Sequence, residues 1–570
     1  RHITELPLEG RNVANLLSLQ PGATRDGSVA GARADQSNVT LDGVDINEAE
    51  TNQLSNPNSD PADSTNALNL VPERSSVIRL NAEAVEEFRV TTSNPNANQG
   101  RSGGAQVALV TKSGSNEFHG ALFEFYRTKK FSANDFFNNL SGIEKPALIR
   151  HTFGGALGGP ILKDRAFFFY SFEGDRITRS QPIEIPRNVP LPSLGRGEVR
   201  FFGCPPGTAI DDCGESVPVT LQTLTTAQLN SIFPLVGMNP AAINVLRDAA
   251  ARYPANDFTT GDGLNHAGFR FNTPLPAERN SHVGKFDFNL TNSQTAFVRA
   301  SVIYDLIARE RQFPDTPAPT IWSHPLGVAA GHTWTINNSM VNNFRYGFTR
   351  EAFSQQGDSG ENAISFRFIF SPRTFSRTLT RITPVQNFTN DFSWVKGNHN
   401  FGFGTNIRLV RNRRDSFANA FDNAITNPSF YQGGGATIAD PVNDFAPISG
   451  STTGVENAVT ALIGRLSQYS ALFTFDRDGT LLPSGTPAAR EFRTEEYDFY
   501  FQDSWKIKPN LTFTYGLRYG YSTPVYEKNG FEVKTTVPLS EFFEARRAAA
   551  LQGQSLNTPL TLELSGQANN

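Results

Sequence analysis

The residues of this 570-residue chain that could do chemistry are few and scattered. Residues 357–360 read GDSG, a sequence that can surround a nucleophilic serine. Such a serine needs a histidine base and an orienting carboxylate close by in space. No other signature of that arrangement accompanies Ser359, so we interpret the motif as a chance match.

Metal and cofactor sites are equally poorly supported. Residues 476–479 (DRDG) resemble the start of a calcium loop, but Glu491 and Glu495 lie too far away to complete an EF-hand. A loosely bound extracellular Ca²⁺ stays open as an alternative. The 8 histidines form no HxxxH or His/Cys pattern. The glycine-rich residues 154–159 (GGALGG) lack the Lys-Ser/Thr of a phosphate loop and indicate close backbone approach instead. We therefore expect no catalytic residues, no cofactor, no resident metal and no enzyme activity.

The two cysteines, Cys204 and Cys213, indicate the compartment. Their short separation suits one local disulfide in an oxidising environment, the alternative being two free thiols in a reducing cytosol. The net charge of −4 gives no reason to expect nucleic acid as a partner.

The elements that would position these residues are β-strands, and the clearest is residues 511–521 (LTFTYGLRYGY). Phe513, Tyr515, Leu517, Tyr519 and Tyr521 fall on one face, while polar residues and glycine fall on the other. Successive side chains of a strand point to opposite faces. The pattern therefore predicts a strand that is apolar on one side and wet on the other.

The same alternation recurs through the chain and predicts eleven strands. They cover residues 118–127, 151–161, 166–175, 283–290, 295–306, 327–336, 341–353, 384–395, 400–411, 495–507 and 511–521. Hairpin turns of about four residues join some neighbours, and connections of over twenty to about a hundred residues join the others. The longest connection, residues 176–279, is expected to hold no strand, and helices are expected on loops at residues 225–253 and 541–551.

Alternating short turns and long loops are typical of an outer-membrane β-barrel, with the long loops facing the outside. No window approaches the roughly 18 consecutive apolar residues of a membrane helix. Aromatic residues near the strand ends could form interfacial girdles, with ordinary sheet packing as the alternative. These residues are Tyr126, Tyr304, Trp394, Trp505 and Tyr521.

Residues 1–115 lack this alternation and read as a small mixed α/β domain. The pattern predicts a helix over residues 9–19 and a short strand at 39–41 before an Asp42-Gly43 turn. A helical turn running into a strand follows at 83–90, and a glycine turn with a final strand covers 100–112.

In these segments the chain resembles the TonB-dependent outer-membrane receptors, specifically their Oar-like branch. The resemblance rests on residues 6–12 (LPLEGRN), 16–22 (LLSLQPG), 38–44 (NVTLDGV) and 85–90 (VEEFRV). The VTKSG segment that ends at Gly114 and the pair GGALGGPI/FFFYSFEG extend it in order over nearly the whole chain.

The resemblance implies a plug domain at residues 1–115 and the N-terminal part of a transmembrane barrel at 116–570. Such barrels have about 22 strands around a plugged lumen, so eleven strands would be half of one. Both ends of the chain are expected to be cut, with the TonB-binding segment and a carboxypeptidase-regulatory-like domain before Arg1. The plug motif would comprise Gly31, Arg33, Asn38, Asp42, Gly43, Glu86, Arg89, Gly103 and Gly104. Among them, Arg33, Asp42, Glu86 and Arg89 are candidates for ion pairs with the barrel, or else ordinary surface charges.

The function that follows is gated import. An outer-membrane receptor would bind an unknown extracellular ligand on its long loops and import it when a TonB energy-coupling protein acts on the plug. Its other partner would be outer-membrane lipid. The alternatives are an extracellular all-β adhesion or carbohydrate-binding protein and a secreted hydrolase. The first alternative explains neither the plug-like segment nor the unequal turns, and the second needs convergent carboxylates or a catalytic triad, which the sequence does not show.

Overall fold

The computed structural model describes residues 13–24, 28–33, 36–47, 49, 77–92, 95–131, 133–134, 136, 145–183, 185–209, 211–370, 377–428, 448, 450–466, 468–556 and 558–564. Among these residues, no helix is both long enough and apolar enough to cross a membrane.

A small mixed sheet forms first. It contains β1 (Asn38–Leu41), β2 (Val44–Asp45), β3 (Val85–Thr91) and β4 (Gln106–Thr111), in the order β2-β1-β4-β3 with β1 and β4 parallel. Asp42 and Gly43, with φ of 50° and 81°, make the two-residue hairpin turn between β1 and β2. Short 3₁₀ helices at Val13–Leu19 and Ala82–Ala84 pack beside the sheet. We call the described part of residues 13–113 the inner unit.

The remaining strands follow in chain order: β5 (His119–Thr128), β6 (Ala147–Leu162), β7 (Ala166–Pro182), β8 (Arg187–Pro190), β9 (Val199–Gly203), β10 (Thr220–Leu224), β11 (Asp257–Gly261), β12 (His266–Phe269), β13 (Asn272–Pro274), β14 (Ala277–Thr291), β15 (Gln294–Ala308), β16 (Thr320–Ser323), β17 (Leu326–Asn337), β18 (Met340–Gln356), β19 (Ala363–Phe366), β20 (Leu379–Lys396), β21 (His399–Ser416), β22 (Asn423–Thr426), β23 (Gln468–Ser470), β24 (Ala488–Lys508), β25 (Leu511–Ser522), β26 (Tyr526–Glu527), β27 (Val533–Thr535) and β28 (Leu562–Leu564). The α-helices are α1 (Pro192–Gly195), α2 (Thr226–Ile232), α3 (Pro240–Arg252), α4 (Thr452–Ile463) and α5 (Leu539–Leu551), and a 3₁₀ turn covers Lys129–Phe131.

Eleven long antiparallel strands build the large sheet, and each pairs with its neighbours in sequence. Their order is β5-β6-β7-β14-β15-β17-β18-β20-β21-β24-β25, with β16 beside β15 and β18 at the loop end. The eleven predicted strands are confirmed, and most run further than predicted; β24, for example, has 21 residues. A strand of that length exceeds what is needed to cross a bilayer, which is about 9–11 tilted residues.

The two faces of the large sheet differ as the alternation requires. On β25, the side chains of Leu511, Phe513, Tyr515, Leu517, Tyr519 and Tyr521 are all exposed on the outward face. On β15, Arg299, Ser301 and Ile303 are buried on the inward face. The inward face is buried because the inner unit packs against it, as described below.

The first strand of the large sheet departs from the pattern. Phe125 of β5 pairs with Thr152 of β6, which in turn pairs with the buried Asp175 of β7. Directly paired residues share a face. Phe123 and Phe125 therefore lie on the inward face, and Leu122 and Tyr126 lie on the outward one. An aromatic side chain is thus not a reliable marker of the lipid-facing side on this strand.

Residues 176–279 are not free of strands, contrary to the prediction. β7 and β14 extend into this segment at either end, and β8 to β13 lie within it. These strands are short and pair mostly with one another, as β12 does with β8 and β11. Alternation over three to five residues is too brief to be recognised without the pairing partner.

The predicted loop helices are present as α2, α3 and α5, and the first two share a core with α4, which the sequence did not predict. A capping box at Thr225 starts α2, and Pro240 at the first turn starts α3. Leu246 of α3 packs in one apolar cluster with Phe366 and with Val459 of α4. These residues come from three different long connections. The long loops are therefore joined by a hydrophobic core of their own at one end of the large sheet.

Candidate functional site at the interface of the two sheets

The inner unit lies against the inward face of the large sheet, which curves around it. Side chains from β7, β14, β15, β18, β24 and β25 all contact the inner unit. Phe169, Val283 and Ile303 of the large sheet join the apolar core of the inner unit. The interface is therefore partly apolar.

Asp42 is the centre of the first polar contact. Its carboxylate accepts hydrogen bonds from the backbone N–H and the hydroxyl of Thr111, both at 2.9 Å. Arg299 of β15 donates to it from Nε at 3.2 Å, and Lys285 Nζ of β14 lies 4.0 Å away. The Arg299 side chain is 1% exposed and that of Asp42 is 3% exposed. A buried pair of this kind is costly to break, because removal of one partner leaves an uncompensated charge.

Asp45 is the centre of the second contact. Arg101 of the inner unit forms an ion pair with Asp45 and also reaches Glu496 Oε2 of β24, with Nε at 3.1 Å. Arg408 of β21 donates to the same Glu496 oxygen at 2.6 Å. Burial alone would raise the pKa of Asp45, but the charges of Arg408 and Arg101 outweigh it, so the pKa lies below its ordinary value. The four groups form one alternating network across the interface.

Two further contacts hold the edges of the inner unit. Arg79 Nη2 lies 2.9 Å from Asp305 Oδ1 of β15. At the opposite edge, the backbone N–H of Ala97 donates to Gln502 Oε1 at 3.0 Å, and Arg518 donates to the Ala97 carbonyl at 3.2 Å. Polar contacts are therefore spread around the interface and not gathered at one point.

Side chains of the inner unit pack directly against glycines of the large sheet. A Cβ on Gly347 of β18 would lie 2.2 Å from Cγ1 of Val44, and one on Gly327 of β17 would lie 3.0 Å from Cδ1 of Ile78. The contact of Gly516 with Ala97 is of the same kind, at 2.8 Å. At these positions only a missing side chain allows so close an approach.

The predicted plug-motif residues occupy several structural roles. Gly31 has a φ of 86° in a turn, and the backbone N–H of Arg33 donates to the Gln36 side chain at 3.0 Å. Buried Asn38 donates to Gln106 at 3.4 Å. Gly43 has no Cβ, and one placed there would lie 2.7 Å from Arg345.

The other motif residues lie further along the inner unit. Gly103 and Gly104 both donate their N–H groups to the Gln36 carbonyl at 3.0 Å. Glu86 is exposed on β3. Arg89 pairs with Glu87 of its own strand at 2.8 Å and with no residue of the large sheet that the structure describes. Of the two alternatives for Arg89, its pairing with Glu87 and its exposure favour an ordinary surface charge. Residues 6–12 of the resemblance lie outside the described residues.

Sequence reasoning missed the partners in the large sheet, above all Arg299, Arg408 and Glu496. For Arg299 and Arg408 a signal was present, because each is a charged residue between two apolar outward residues of its strand, whereas Glu496 follows another charged residue, Glu495. The pairing with Asp42 or Asp45 could not be predicted, since it depends on how residues more than 250 positions apart meet.

The other candidate residues have local roles. Cys204 and Cys213 form a disulfide with Cα atoms 5.7 Å apart. Ser359 lies in the connection after β18, where Arg377 donates to its hydroxyl at 3.1 Å. Asp476 accepts the N–H of Thr480 at 2.7 Å in a tight turn. No group of three or more His, Cys, Asp or Glu that could hold a metal ion occurs within the described ranges.

The girdle candidates lie near the ends of their strands. Trp394 and Trp505 pair with residues beside the short turns, and Tyr126, Tyr304 and Tyr521 lie near the loop ends of their strands. In the glycine run of β6, a Cβ on Gly159 would lie 2.4 Å from the Phe118 ring. Gly159 is therefore approached closely by an aromatic ring that lies on the same side of the sheet.

A cavity of about 200 Å³ lies between the inner unit and β20, β21 and β24. Ala49 of the inner unit lines it, together with Thr383, Val410, Asn412 and Arg414. The cavity is on the loop side of the Asp45 network, because β21 runs from Arg408 through Val410 and Arg414 to the loop end.

These features define a membrane β-sheet that encloses a folded unit on its inward face. Residues 110–536 match the outer membrane beta barrel domain family, and the chain belongs to that family. Its location is the outer membrane.

Known transporters and receptors are similar to parts of this chain. The chain is a homologue of the TonB-dependent transporter Oar of Myxococcus xanthus, with 31% identity over 178 residues that cover 28% of this chain and 14% of Oar. Its fold is similar to that of the outer membrane transporter YddB from Escherichia coli, with a TM-score of 0.54 at 12% identity, covering 92% of this chain and 56% of YddB. The siderophore receptor PirA from Acinetobacter baumannii aligns with a TM-score of 0.45 at 12% identity, covering 92% of this chain and 56% of PirA. The chain thus spans just over half the length of these solved structures.

Proposed function

We propose that this chain belongs to a TonB-dependent receptor that binds an extracellular ligand and imports it through the lumen of its barrel. Residues 1–115 act as the plug and residues 116–570 as the N-terminal part of the barrel. A TonB-type energy-coupling protein displaces the plug from the periplasmic side, and the long loops make the first contact with the ligand. The activity makes and breaks no covalent bond.

The observation that carries this proposal is the way in which the inner unit is held. Among the described residues, most of its apolar core comes from its own side chains, with only three buried ones added from the large sheet, and separate ion pairs at Asp42, Arg79 and Arg101 join it to that sheet. A unit that had only to fill a pore could be held by a much larger shared apolar core. Separate polar contacts can instead be broken and remade, as a plug that opens requires.

A reversible tether tests whether the inner unit moves. Cγ1 of Ile78 lies 3.1 Å from the place of a Cβ on Gly327, which matches the separation of about 3 Å between a sulfur and the opposite Cβ in a disulfide. The variant Ile78→Cys/Gly327→Cys of the full-length protein should therefore form a disulfide between plug and barrel. The single variants Ile78→Cys and Gly327→Cys are the matched controls.

The readout is depletion of compounds from the growth medium. Cells with the wild-type protein should remove at least one compound that neither the receptor-deletion strain nor a strain without TonB removes. The oxidised double-cysteine variant should lose this uptake, and reduction should restore it. Uptake that continues without TonB, or despite the oxidised tether, would show that the proposal is wrong.

A further inference from the structure

Three arginines form a row across neighbouring strands on the inward face. Arg381 of β20 pairs directly with Arg414 of β21, which pairs directly with Arg490 of β24. Directly paired positions have Cβ atoms about 5 Å apart, and like charges there are destabilising. Such a row is therefore unfavourable for the empty barrel unless something else compensates it.

The register shows that the row faces the lumen. Thr383 and Val385 lie on the same face of β20 as Arg381, and both are buried on the inward side. On β21, Arg408 and Val410 share the face of Arg414, and Arg408 belongs to the network that reaches the inner unit. Arg414 also lines the cavity above the inner unit.

Only part of the positive charge is compensated within the described part of the chain. Arg381 forms an ion pair with Glu351 at 2.8 Å. Arg414 and Arg490 form no ion pair with another described residue. Arg490 stacks on Phe531 at 4.1 Å and donates to its own neighbour's carbonyl, which leaves guanidinium donors available.

The carboxylate on the same face near Arg490 is already occupied. Glu527 pairs with Phe492, one inward position away from Arg490 along β24. Its two oxygens accept the backbone N–H groups of Glu491 and Phe531, both at 2.9 Å. It is therefore held by backbone donors and is not placed to neutralise the row.

We propose that Arg414 and Arg490 bind an anionic group of the imported ligand, a carboxylate or a phosphate, at the loop-side mouth of the lumen. Two guanidinium groups side by side offer the planar, paired donors that such groups accept. The inference rests on the proposed function and names the chemical class of its ligand. The ligand would also explain why a row of like charges is retained at a cost in stability.

The test uses detergent-solubilised full-length protein at constant ionic strength, with citrate and inorganic pyrophosphate as probes. Thermal unfolding should show saturable stabilisation of the wild-type protein by at least one probe. Arg414→Gln and Arg490→Gln should each weaken the apparent affinity about tenfold or more. In the absence of a probe, both variants should melt at the wild-type temperature or above it, which a purely structural pair of arginines would not do.

Arg413→Gln is the matched control, because Arg413 neighbours Arg414 on β21 but points to the outward face. It should bind the probes as the wild type does. Equal weakening by Arg413→Gln would place the anion on the lipid-facing surface and overturn the proposal, as would the absence of saturable binding. Since this assay needs neither TonB nor transport, its failure is distinct from a failure of the tether experiment.

Discussion

At the scale of single residues, the interface depends most on the buried contact between Asp42 and Arg299. We expect Arg299→Leu to destabilise docking of the inner unit by about 3–5 kcal/mol, because Asp42 would keep its charge without its partner. The combination with Asp42→Asn should recover much of this loss. The measurement is the urea concentration at which the inner unit becomes sensitive to protease in detergent-solubilised protein.

An exposed pair of the same chemistry provides the control. Arg89 and Glu87 pair on the surface of the inner unit, where the Arg89 side chain is 76% exposed. Arg89→Ala should leave the urea midpoint unchanged, since surface ion pairs contribute little. A similar loss for Arg89→Ala and Arg299→Leu would contradict the role given to the buried contact.

Docking of the inner unit against the large sheet should depend on pH through the protonation of Asp45. Its pKa in the folded protein lies below the ordinary value of 3.8, because Arg408 and Arg101 outweigh the effect of burial. Its contribution to stability is therefore full above about pH 3.8 and is lost as the pH falls through the lower, folded pKa. We expect hydrogen exchange in β2 to be faster in Asp45→Asn than in the wild type at pH 5–7.

The difference between the two proteins should shrink below pH 3.8. Comparison at equal pH removes the intrinsic pH dependence of exchange, so only the docking contribution remains. A difference that persists undiminished at pH 2 would show that protonation of Asp45 does not weaken the network.

The sequence alone could not predict which residues of the large sheet contact which residues of the inner unit. Asp42 could be selected because it stands in a turn within residues 38–44, one of the segments that carry the family resemblance. Arg299, Arg101 and Glu496 could be assigned a face at most, since their contacts depend on how the inner unit is oriented in the sheet. For Arg89 the sequence left a barrel ion pair and a surface charge open, and the described contact is with Glu87 of its own strand.

At the scale of elements, glycines in the strands decide how closely the inner unit can approach. We expect Gly347→Ala to weaken docking by about 1–3 kcal/mol through overpacking, because its Cβ would lie 2.2 Å from Val44. Val44→Ala should relieve the effect in the double variant. The urea and protease assay described above measures both changes.

Gly402 of β21 is the matched control for this prediction. A Cβ there would meet nothing closer than 3.9 Å, an ordinary contact distance. Gly402→Ala should therefore leave docking unchanged. If Gly402→Ala weakened docking as much as Gly347→Ala, the cause would be the loss of a strand glycine in general and not the contact between residue 347 and Val44.

Strand prediction succeeded where one face met lipid over many residues and failed where it did not. The alternation in β25 continues through the whole strand and identifies it without further information. The short strands β8 to β13 are stabilised by pairing inside a loop, and no long periodic pattern marks them. The same holds for the shared core of the loops, because its members come from separate parts of the chain.

At the scale of the whole molecule, the dimensions of the apolar outward face agree with a membrane. Phe513 and Tyr521 on β25 lie eight residues apart, which is about 27 Å along the strand. A tilt of about 40° reduces this to about 20 Å across the membrane, close to the apolar band of outer-membrane barrels, which is about 25 Å tall. The large sheet therefore has one face suited to lipid and one occupied by the inner unit.

The 570-residue chain expressed by itself should associate through its sheet. Among the described residues, β5 and β25 each pair on one side only, so their outer backbone groups are available to another strand. The outward face of β25 adds exposed apolar side chains, with Leu517 74% exposed. We expect the chain to aggregate in detergent-free buffer and to stay oligomeric in detergent, because detergent covers the apolar face but does not pair with strand edges. Size-exclusion chromatography with light scattering measures both states. A monodisperse monomer without detergent would contradict the lipid-facing assignment of the outward side chains, and a monomer in detergent would show that the edges do not pair.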